Sequence, residues 1–452
     1  MLFFVALTLT DFRMSQVYRE YHHKLLIIIF LLLSIPVFGQ DKDIEDVKKR
    51  ASEFFEQEDY TQAKELYSQL VSLYPKDENF NYRFGACLLF VDEDKTYPLK
   101  FLEYAVSRPN VDDEAFYFLG KGYHYNYRFD EAIRYFEKYK SKIADLKEKK
   151  FDVDSQIRFC KNGKKLMRDV NSPRVISKKR VGRNEFFTSF KMSEIGGRTL
   201  FAPKELQSSV DKKKGYTPVM YRNSNSDIIF FTSYGPNEKN GIDIYSVTVQ
   251  VTGELSKPVR LPETINTEYD EGFPFYTEEQ DVFYFASKGH NSMGGYDLFK
   301  ADYNANSQYF ANVVNLDYAI NTPDDDLMYA DLGGEGVAYF ASNRNCGKGK
   351  VYVYQINSSL ERFEIAALSG VFSSPATKSC KITVEDLDDH MIIGAFNTDK
   401  NSGEYLMRLK NGGRYKFLVE PYGSNVAYQG RVELPDLAEM KLLKQEIEIV
   451  VD

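Results

Sequence analysis

The chain changes its hydrophobic periodicity along its length. From Asp41 to about Met167, apolar residues recur at helical spacing, with small residues at Ala51, Gly85 and Gly120, which are 34 and 35 residues apart. Two helices approach closely only where small side chains face each other, so this spacing predicts three successive pairs of antiparallel helices. The predicted units cover about residues 43–76, 78–110 and 113–143.

The second helical unit departs from this pattern. Pro98 falls within its second helix, and the alanine expected there is missing. Because proline lacks a backbone donor and clashes with the preceding turn, a distorted helix is predicted at this point. A later amphipathic stretch, DSQIRFCKNGKKLM, is predicted to cover the apolar face of the last unit.

From about Val175 to Ile356 the period becomes two, which is typical of short strands. Three aromatic strands end at Ser233, Ser287 and Ser342, which are 54 and 55 residues apart. A fainter copy precedes them in NEFFTSFKMSEIGGRTLFAPKEL. A unit of a few short strands cannot bury both faces of its sheet alone, so four or five such units are predicted to stack around an axis.

From about Phe363 to Asp452, apolar and polar residues alternate between glycine-rich turns, which predicts a small β domain. Residues 399–403 are predicted to turn one hairpin, and Gly412 and Gly413 a second. The three segments together predict a multidomain α plus β protein.

The N-terminus has the pattern of a secretory signal. The apolar run LLIIIFLLLSIPVFG follows Lys24 and ends just before Gln40. A short basic region, an apolar run and a small residue predict a signal peptide over residues 1–40, with Met14 as an alternative start. The run is too short to predict a membrane-spanning helix, and no cysteine stands where a lipid anchor would be attached. An exported, soluble protein is expected from about residue 41.

Charge and cysteine content exclude some classes of function. Residues 41–452 carry 55 basic and 64 acidic side chains, a balance that argues against a nucleic-acid partner. The four cysteines are far apart and form no C-x-x-C pair, so neither metal nor redox chemistry is predicted.

Particular stretches carry resemblances to known repeats. ASEFFEQEDYTQAKELYSQLVSLYP and LGKGYHYNYRFDEAIRYFEKY resemble the tetratricopeptide repeat, and DEGFPFYTEEQDVFYFASKGHNSMGGYDLF resembles the TolB-type, WD-like β-propeller repeat. TDKNSGEYLMRLKNGGRYKFLVEPYG resembles the carboxypeptidase regulatory-like domain. The resemblances imply an α-helical solenoid with a capping helix at 41–168, a propeller of four or five blades at 169–360 and a transthyretin-like β-sandwich at 361–452.

This order of segments resembles a family of Gram-negative envelope proteins, including OmpA-family proteins and accessory proteins of type IX secretion. Members usually end in an OmpA-like domain that binds peptidoglycan, whereas this sequence stops at Asp452 with MKLLKQEIEIVVD where a linker would begin. The resemblance therefore implies a periplasmic scaffold at the inner face of the outer membrane, without the anchoring role.

Ser292, in the loop GHNSMGG, is the strongest candidate for a catalytic residue. A nucleophile elbow needs glycines on both sides of the serine, and the upstream glycine is replaced by His290. The other histidines after residue 40, His124 and His390, lie in different segments. The glycines also precede a strand, so no helix N-terminus is available for a phosphate. A loop of a scaffold is predicted, with no catalytic residue and no cofactor.

The clustered aspartates also predict no metal site. Residues 324–326 and 386–389 lack the alternating spacing and distal glutamate of a calcium loop. Asp243 and Asp297 occupy one repeated position, and they are predicted to hold turns through backbone hydrogen bonds.

The predicted partner-binding residues lie on the inner helices of the repeats. They are Tyr82 in the second unit and Tyr117, Lys121, His124 and Tyr125 in the third. Inner helices of tetratricopeptide arrays line a concave groove that takes a peptide or a partner helix. The alternative is that these side chains form the core between repeats.

The sequence thus predicts a non-catalytic periplasmic scaffold. Its expected partners are envelope or secretion-system proteins bound through the helical repeats and the propeller, with no nucleic acid and no membrane span after signal cleavage. The first alternative is binding of glycan or peptidoglycan fragments by the propeller or the last domain. The second is a hydrolase that uses the propeller as a support.

Overall fold

The structure, a computed structural model, describes most of the chain from Phe38 onward. The described residues are 38–144, 150–166, 173–190, 197–223, 226–237, 241–333, 336–357, 365–374, 377–410, 412–424, 426–434 and 442–448. The predicted signal peptide and Met14 lie outside them, apart from residues 38–40. Among the described residues, no helix is long and apolar enough to cross a membrane.

Among the described residues, seven helices form the first region. They are α1 (Phe38–Glu56), α2 (Tyr60–Leu73), α3 (Glu78–Val91), α4 (Leu99–Val106), α5 (Glu114–Tyr125), α6 (Phe129–Lys142) and α7 (Val153–Leu166). Consecutive helices pack against each other. A Cβ atom on Gly85 would lie 2.9 Å from Leu102 Cγ, and one on Gly120 would lie 2.7 Å from Phe136 Cδ1. The small residues therefore permit the predicted close approach of α3 to α4 and of α5 to α6.

Pro98 lies at a different place from the one predicted. It immediately precedes α4, which begins at Leu99 and has only eight residues. Proline is tolerated at a helix start because the first backbone donors have no partner within the helix. The second unit therefore contains a shortened helix rather than a distorted one. The predicted covering helix is present as α7, whose Gly163 packs against the ring of Phe129.

In the described part of residues 174–357, thirteen strands form three sheets. The first sheet contains β2 (Gly197–Phe201), β3 (Val219–Asn223), β4 (Ile228–Ser233), β5 (Asp243–Thr248) and β6 (Val259–Arg260). The second contains β7 (Glu271–Thr277), β8 (Val282–Ser287), β9 (Asp297–Asn304) and β10 (Tyr309–Asn315). The third combines β11 (Asp326–Asp331), β12 (Val337–Ser342) and β13 (Lys350–Asn357) with β1 (Arg174–Gly182), which pairs antiparallel with β13.

The fainter repeat copy does not form a sheet of its own. Its strand β2 pairs with β3 in the first sheet, and Phe186–Ser189 form a 3₁₀ turn. Phe186 contacts Phe273 of the second sheet, and Phe190 contacts Tyr339 of the third. The aromatic residues of this copy thus fill space between sheets, and the described residues form three sheets instead of four or five units.

The last seven strands form two further sheets that share one core. One contains β14 (Ile365–Ser373), β17 (Glu404–Lys410) and β20 (Leu442–Glu448), and the other contains β15 (Cys380–Asp386), β16 (Met391–Asn397), β18 (Arg414–Pro421) and β19 (Tyr428–Glu433). The pairing of β14 with β20 is parallel, and the other pairings are antiparallel. Both predicted hairpin turns, residues 399–403 and Gly412–Gly413, join strands of different sheets, so neither is a hairpin.

The chain therefore consists of a helical region followed by several, mainly antiparallel, sheets, and it is an α plus β protein. Its four cysteines are all buried and none is bonded to another.

Candidate functional site

Two of the five predicted binding residues lie in the core of the helical region. Tyr82 is only 1% exposed, and its hydroxyl donates to Asp112 Oδ2 at 3.1 Å. Tyr117 is also buried, with its ring stacked on Phe151 at 4.0 Å between centroids. Burial raises the pKa of both phenols above their ordinary value. These two tyrosines therefore lie in the core of the helical region, as the alternative interpretation of the sequence predicts.

His124 lies at a contact between the helices and the second sheet. It is fully buried, and its Nε2 lies 2.7 Å from the carbonyl oxygen of Met293. Burial lowers the pKa of His124 to about 3, so the imidazole is neutral at pH 7 and Nε2 donates to the carbonyl. This hydrogen bond joins α5 to the loop between β8 and β9.

Lys121 and Tyr125 lie beside this contact and are partly buried. Lys121 Nζ donates to Gln156 Oε1 of α7 at 3.1 Å and lies 4.5 Å from the centre of the Tyr125 ring. Burial lowers the pKa of Lys121 to about 8. Three of the five predicted residues are thus brought together where the helices meet the strand region.

The loop GHNSMGG, residues 289–295, packs against the helical region. Asn162 Nδ2 of α7 donates to the Ser292 carbonyl at 2.9 Å, and the Met293 side chain is fully buried in the helical core. A Cβ atom on Gly294 would lie 2.4 Å from the Thr322 carbonyl oxygen, so only glycine fits there. The chain's own loop therefore occupies part of the helical surface predicted to receive a partner.

The side chains of Ser292 and His290 are turned to backbone atoms. Ser292 Oγ lies 2.7 Å from the carbonyl oxygens of Ser287 and Gly289. His290 Nε2 lies 2.9 Å from the Ile265 carbonyl oxygen. No hydrogen bond joins the serine to the histidine in this part of the structure.

A cavity of about 540 Å³ lies where three parts of the chain meet. The helical region, the loops next to β11 and β12 of the third sheet, and the four-stranded sheet near the C-terminus each contribute one wall. In that order, the lining residues are 93–96 and 125–127, then Asp324, Arg344 and Asn345, then Thr383, Glu385, Leu387, His390, Ile392, Lys416, Leu418 and 429–431.

The four-stranded sheet supplies the cavity with a grid of polar side chains. Glu385, Lys416 and Arg431 are successive register partners across β15, β18 and β19. The next row across the same strands consists of Thr383, Leu418 and Gln429. Successive residues of a strand point to opposite faces, and the other face carries Val384 and Phe417, which are buried in the core. Strand alternation thus separates the core from the cavity.

Glu385 is the acidic centre of this face. His390 Nδ1 lies 3.7 Å from one of its oxygens, and Lys416 Nζ lies 3.5 Å from the other. Burial alone would raise the pKa of Glu385, but His390 and Lys416 outweigh it and the pKa is lowered. Asn345 Nδ2 also donates to Glu385, at 3.3 Å. Glu385 is therefore a charged carboxylate with three partners, whereas Arg431 forms no ion pair within the described part of the chain.

Asp324 faces this sheet from the opposite wall. Its carboxylate makes no hydrogen bond or ion pair with any described residue, although Lys95 and Lys121 lie close enough to act on its charge. Burial raises the pKa of Asp324 to about 6, so it is mostly ionised at pH 7. Lys95 Nζ donates hydrogen bonds to the carbonyl oxygens of Leu89 and Asp92, at 2.6 and 2.9 Å.

The other clustered aspartates are used within the fold. Asp325 accepts from the Tyr296 backbone and pairs with Arg183, while Asp326 pairs with Arg344. In the described residues, no group of three or more His, Cys, Asp or Glu is arranged to hold a metal ion.

The repeated aspartates behave differently from each other. Asp297 Oδ2 accepts from the Met293 backbone at 3.0 Å, which is the predicted role in a turn. Asp243 instead forms a bidentate pair with Arg260, at 2.7 and 2.8 Å.

Sequence reasoning missed the cavity and its charged lining. Thr383 and Glu385, like Lys416 and Leu418, are two positions apart in the sequence, with one apolar residue between them. This spacing could have identified one face of the sheet as polar. Nothing in the sequence indicates that Asp324 lies opposite that face, because the contact depends on how three distant segments pack.

Comparison with protein-family models and with curated proteins finds no match for this sequence.

Proposed function

We propose that this chain is a non-catalytic scaffold of a Gram-negative cell envelope that joins other proteins. The observation that carries the proposal is the set of hydrogen bonds that join the helical region, the strand region and the last domain. The loop at Met293 is bonded to α5 and α7, and Tyr318 donates to the Ile393 carbonyl at 2.8 Å, linking the strand region to the last domain. A scaffold needs its binding surfaces in a fixed arrangement, and these contacts supply one.

Several features support the family resemblance behind this proposal. The close approaches at Gly85 and Gly120 suit tetratricopeptide repeats. The pairing of β1 with β13 suits a propeller, in which both ends of the chain contribute to one blade. The shared core of the last two sheets suits a transthyretin-like sandwich. The proposed location is the periplasm at the inner face of the outer membrane, in the service of a secretion or gliding machine.

The proposed partner surface is the exposed side of the first helical repeat. Leu73 and Tyr74 are exposed at the end of α2, and Lys48 Nζ of α1 lies 5.4 Å from the centre of the Tyr74 ring. Aromatic and apolar side chains next to a cation are typical of protein interfaces. This surface is free of the contacts that cover His124.

Affinity purification of the tagged full chain from envelope extracts tests the proposal. We expect the wild type to recover envelope proteins, and the Leu73→Lys variant to bind them about thirtyfold more weakly, since loss of an interface anchor costs on the order of 2 kcal/mol. Val251→Lys, at an exposed apolar residue of the strand region, is the matched control and should bind as the wild type does.

Recovery of no envelope protein by any of the three chains would contradict the scaffold role. Equal recovery by Leu73→Lys and the wild type would instead contradict only the assignment of the surface.

A further inference from the structure

We propose that the cavity between the three regions binds a small zwitterion of the amino-acid or short-peptide class. The ligand's ammonium group would lie against Asp324, and its carboxylate against Arg431 and Lys416. This site is separate from the surface at Leu73, and it does not depend on the scaffold role.

The basic end of the site is a pair of like charges. Lys416 and Arg431 are direct register partners on adjacent antiparallel strands, and both line the cavity. Like charges directly opposite each other are destabilising. Glu385 offsets Lys416 alone, which leaves the Arg431 guanidinium without an ion pair among the described residues. A carboxylate above this pair would offset the repulsion, and guanidinium groups bind carboxylates with two parallel hydrogen bonds.

The acidic end is the carboxylate of Asp324. The two lysines that act on its charge are hydrogen-bonded elsewhere, Lys95 to backbone carbonyl oxygens and Lys121 to Gln156. A partly buried charge without a hydrogen-bonded partner is unfavourable. An ammonium group from a ligand in the cavity supplies the missing donors, because it carries three of them.

The size and chemistry of the cavity favour this class over a neutral sugar. A volume of about 540 Å³ lies within the range usual for sites that bind small molecules. The lining carries an acid and a base on opposite walls that have no ion pair among the described residues, and a neutral glycan would leave both without partners. A zwitterion satisfies both, and it would touch the helical region, the third sheet and the last domain at once.

Isothermal titration calorimetry on the full chain tests the site with four probes. These are alanyl-alanine, N-acetyl-alanyl-alanine, alanyl-alanine amide and diacetylchitobiose. We expect the free dipeptide to bind, and each capped dipeptide to bind about tenfold more weakly, since each cap removes one charge-assisted contact. Absence of binding by the free dipeptide, binding of either capped dipeptide as tightly as the free one, or preferential binding of the disaccharide would overturn the proposal.

Two variants assign the ends of the ligand. Asp324→Asn should weaken binding of the free dipeptide about tenfold and leave binding of the N-acetylated one unchanged. Arg431→Gln should weaken binding of the free dipeptide about tenfold and leave binding of the amide unchanged. Asp46→Asn, at an exposed residue of α1, is the control and should bind as the wild type does. Equal weakening of all probes by either variant, at unchanged melting temperature, would mean that the charges do not contact the ligand as proposed.

Discussion

The second and third sheets bury an acid at the same repeated position but compensate it differently. In the second sheet, Glu271 accepts hydrogen bonds from Ser287 at 2.6 Å and from Thr267 at 2.7 Å. Among the described residues, the Arg260 guanidinium lies close enough to act on the charge of Glu271, but Arg260 forms its bidentate pair with Asp243. Burial raises the pKa of Glu271 to about 7. Its carboxyl group is therefore about half protonated at neutral pH.

In the third sheet, the equivalent acid has a cation. Asp326 keeps the same type of hydroxyl partner in Thr322, at 2.8 Å, and it also pairs with Arg344 at 2.8 Å. Burial raises the pKa of Asp326, and the charge of Arg344 opposes that rise. Position 344 corresponds to Gly289 in the second sheet, 55 residues earlier. One repeated position is thus a half-protonated hydrogen-bonding site in one sheet and half of a buried ion pair in the next.

Removing the cation should have the largest effect. In Arg344→Met, the fully buried Asp326 carboxylate loses its charge partner, and the free energy of unfolding at pH 7 should fall by about 3–5 kcal/mol. Urea denaturation measures this change. Arg198→Met, at an exposed arginine of β2, should stay within about 0.5 kcal/mol of the wild type. If Arg344→Met is as stable as the wild type, the ion pair is not what compensates Asp326.

The pH dependence of stability should separate the two acids next. Because the folded pKa of Glu271 is raised from 4.5 to about 7, the native state keeps a proton that the unfolded chain releases. Stability should therefore fall as pH rises between about 4.5 and 7, by about 1.4 kcal/mol per unit and about 3 kcal/mol in total.

Glu271→Gln removes this titration. Unfolding free energies measured at pH 5 and pH 7.5 should fall by about 3 kcal/mol more in the wild type than in the variant. Parallel pH profiles for the two proteins would show that Glu271 is already ionised in the folded state.

Adding a side chain at position 289 should have the smallest effect of the three. A Cβ atom there would lie 2.1 Å from Thr267 Oγ1, so Gly289→Ala must displace the threonine that donates to Glu271. We expect a loss of about 1–3 kcal/mol in thermal or urea unfolding. Gly182→Ala, where a Cβ atom would meet nothing within 4 Å, is the control and should be nearly neutral. Equal stability of the two variants would mean that Thr267 can move without loss.

The two sheets also show which of their features could be predicted from the sequence. The spacing of Ser287 and Ser342 predicted equivalent strands, and both serines do end strands that follow the buried acids. The threonine four residues before each acid repeats as well, and it could have identified Glu271 and Asp326 as a pair. The arginine at 344 could not be paired with Asp326 by repetition, since its counterpart is a glycine.

The helical region was predictable for a similar reason. Gly85 and Gly120 lie where two neighbouring helices approach closely. A glycine allows this approach because it has no side chain, and the effect involves only the two helices of one pair. The burial of His124 against Met293 was not predictable, because those residues are 169 positions apart and no periodicity links them. The cavity was missed for the same reason, since its three walls come from segments that no repeat relates.

The pairing of β1 with β13 has a consequence for the order of folding. Arg174–Gly182 are made long before Lys350–Asn357, yet the two strands complete the same sheet. A contact between such distant segments closes a long loop and forms slowly. Until β13 emerges, β1 has no partner and its backbone groups remain open to wrong pairings. The third sheet is therefore completed only after the first two have been synthesised, which makes the pairing of β1 with β13 a late step of folding.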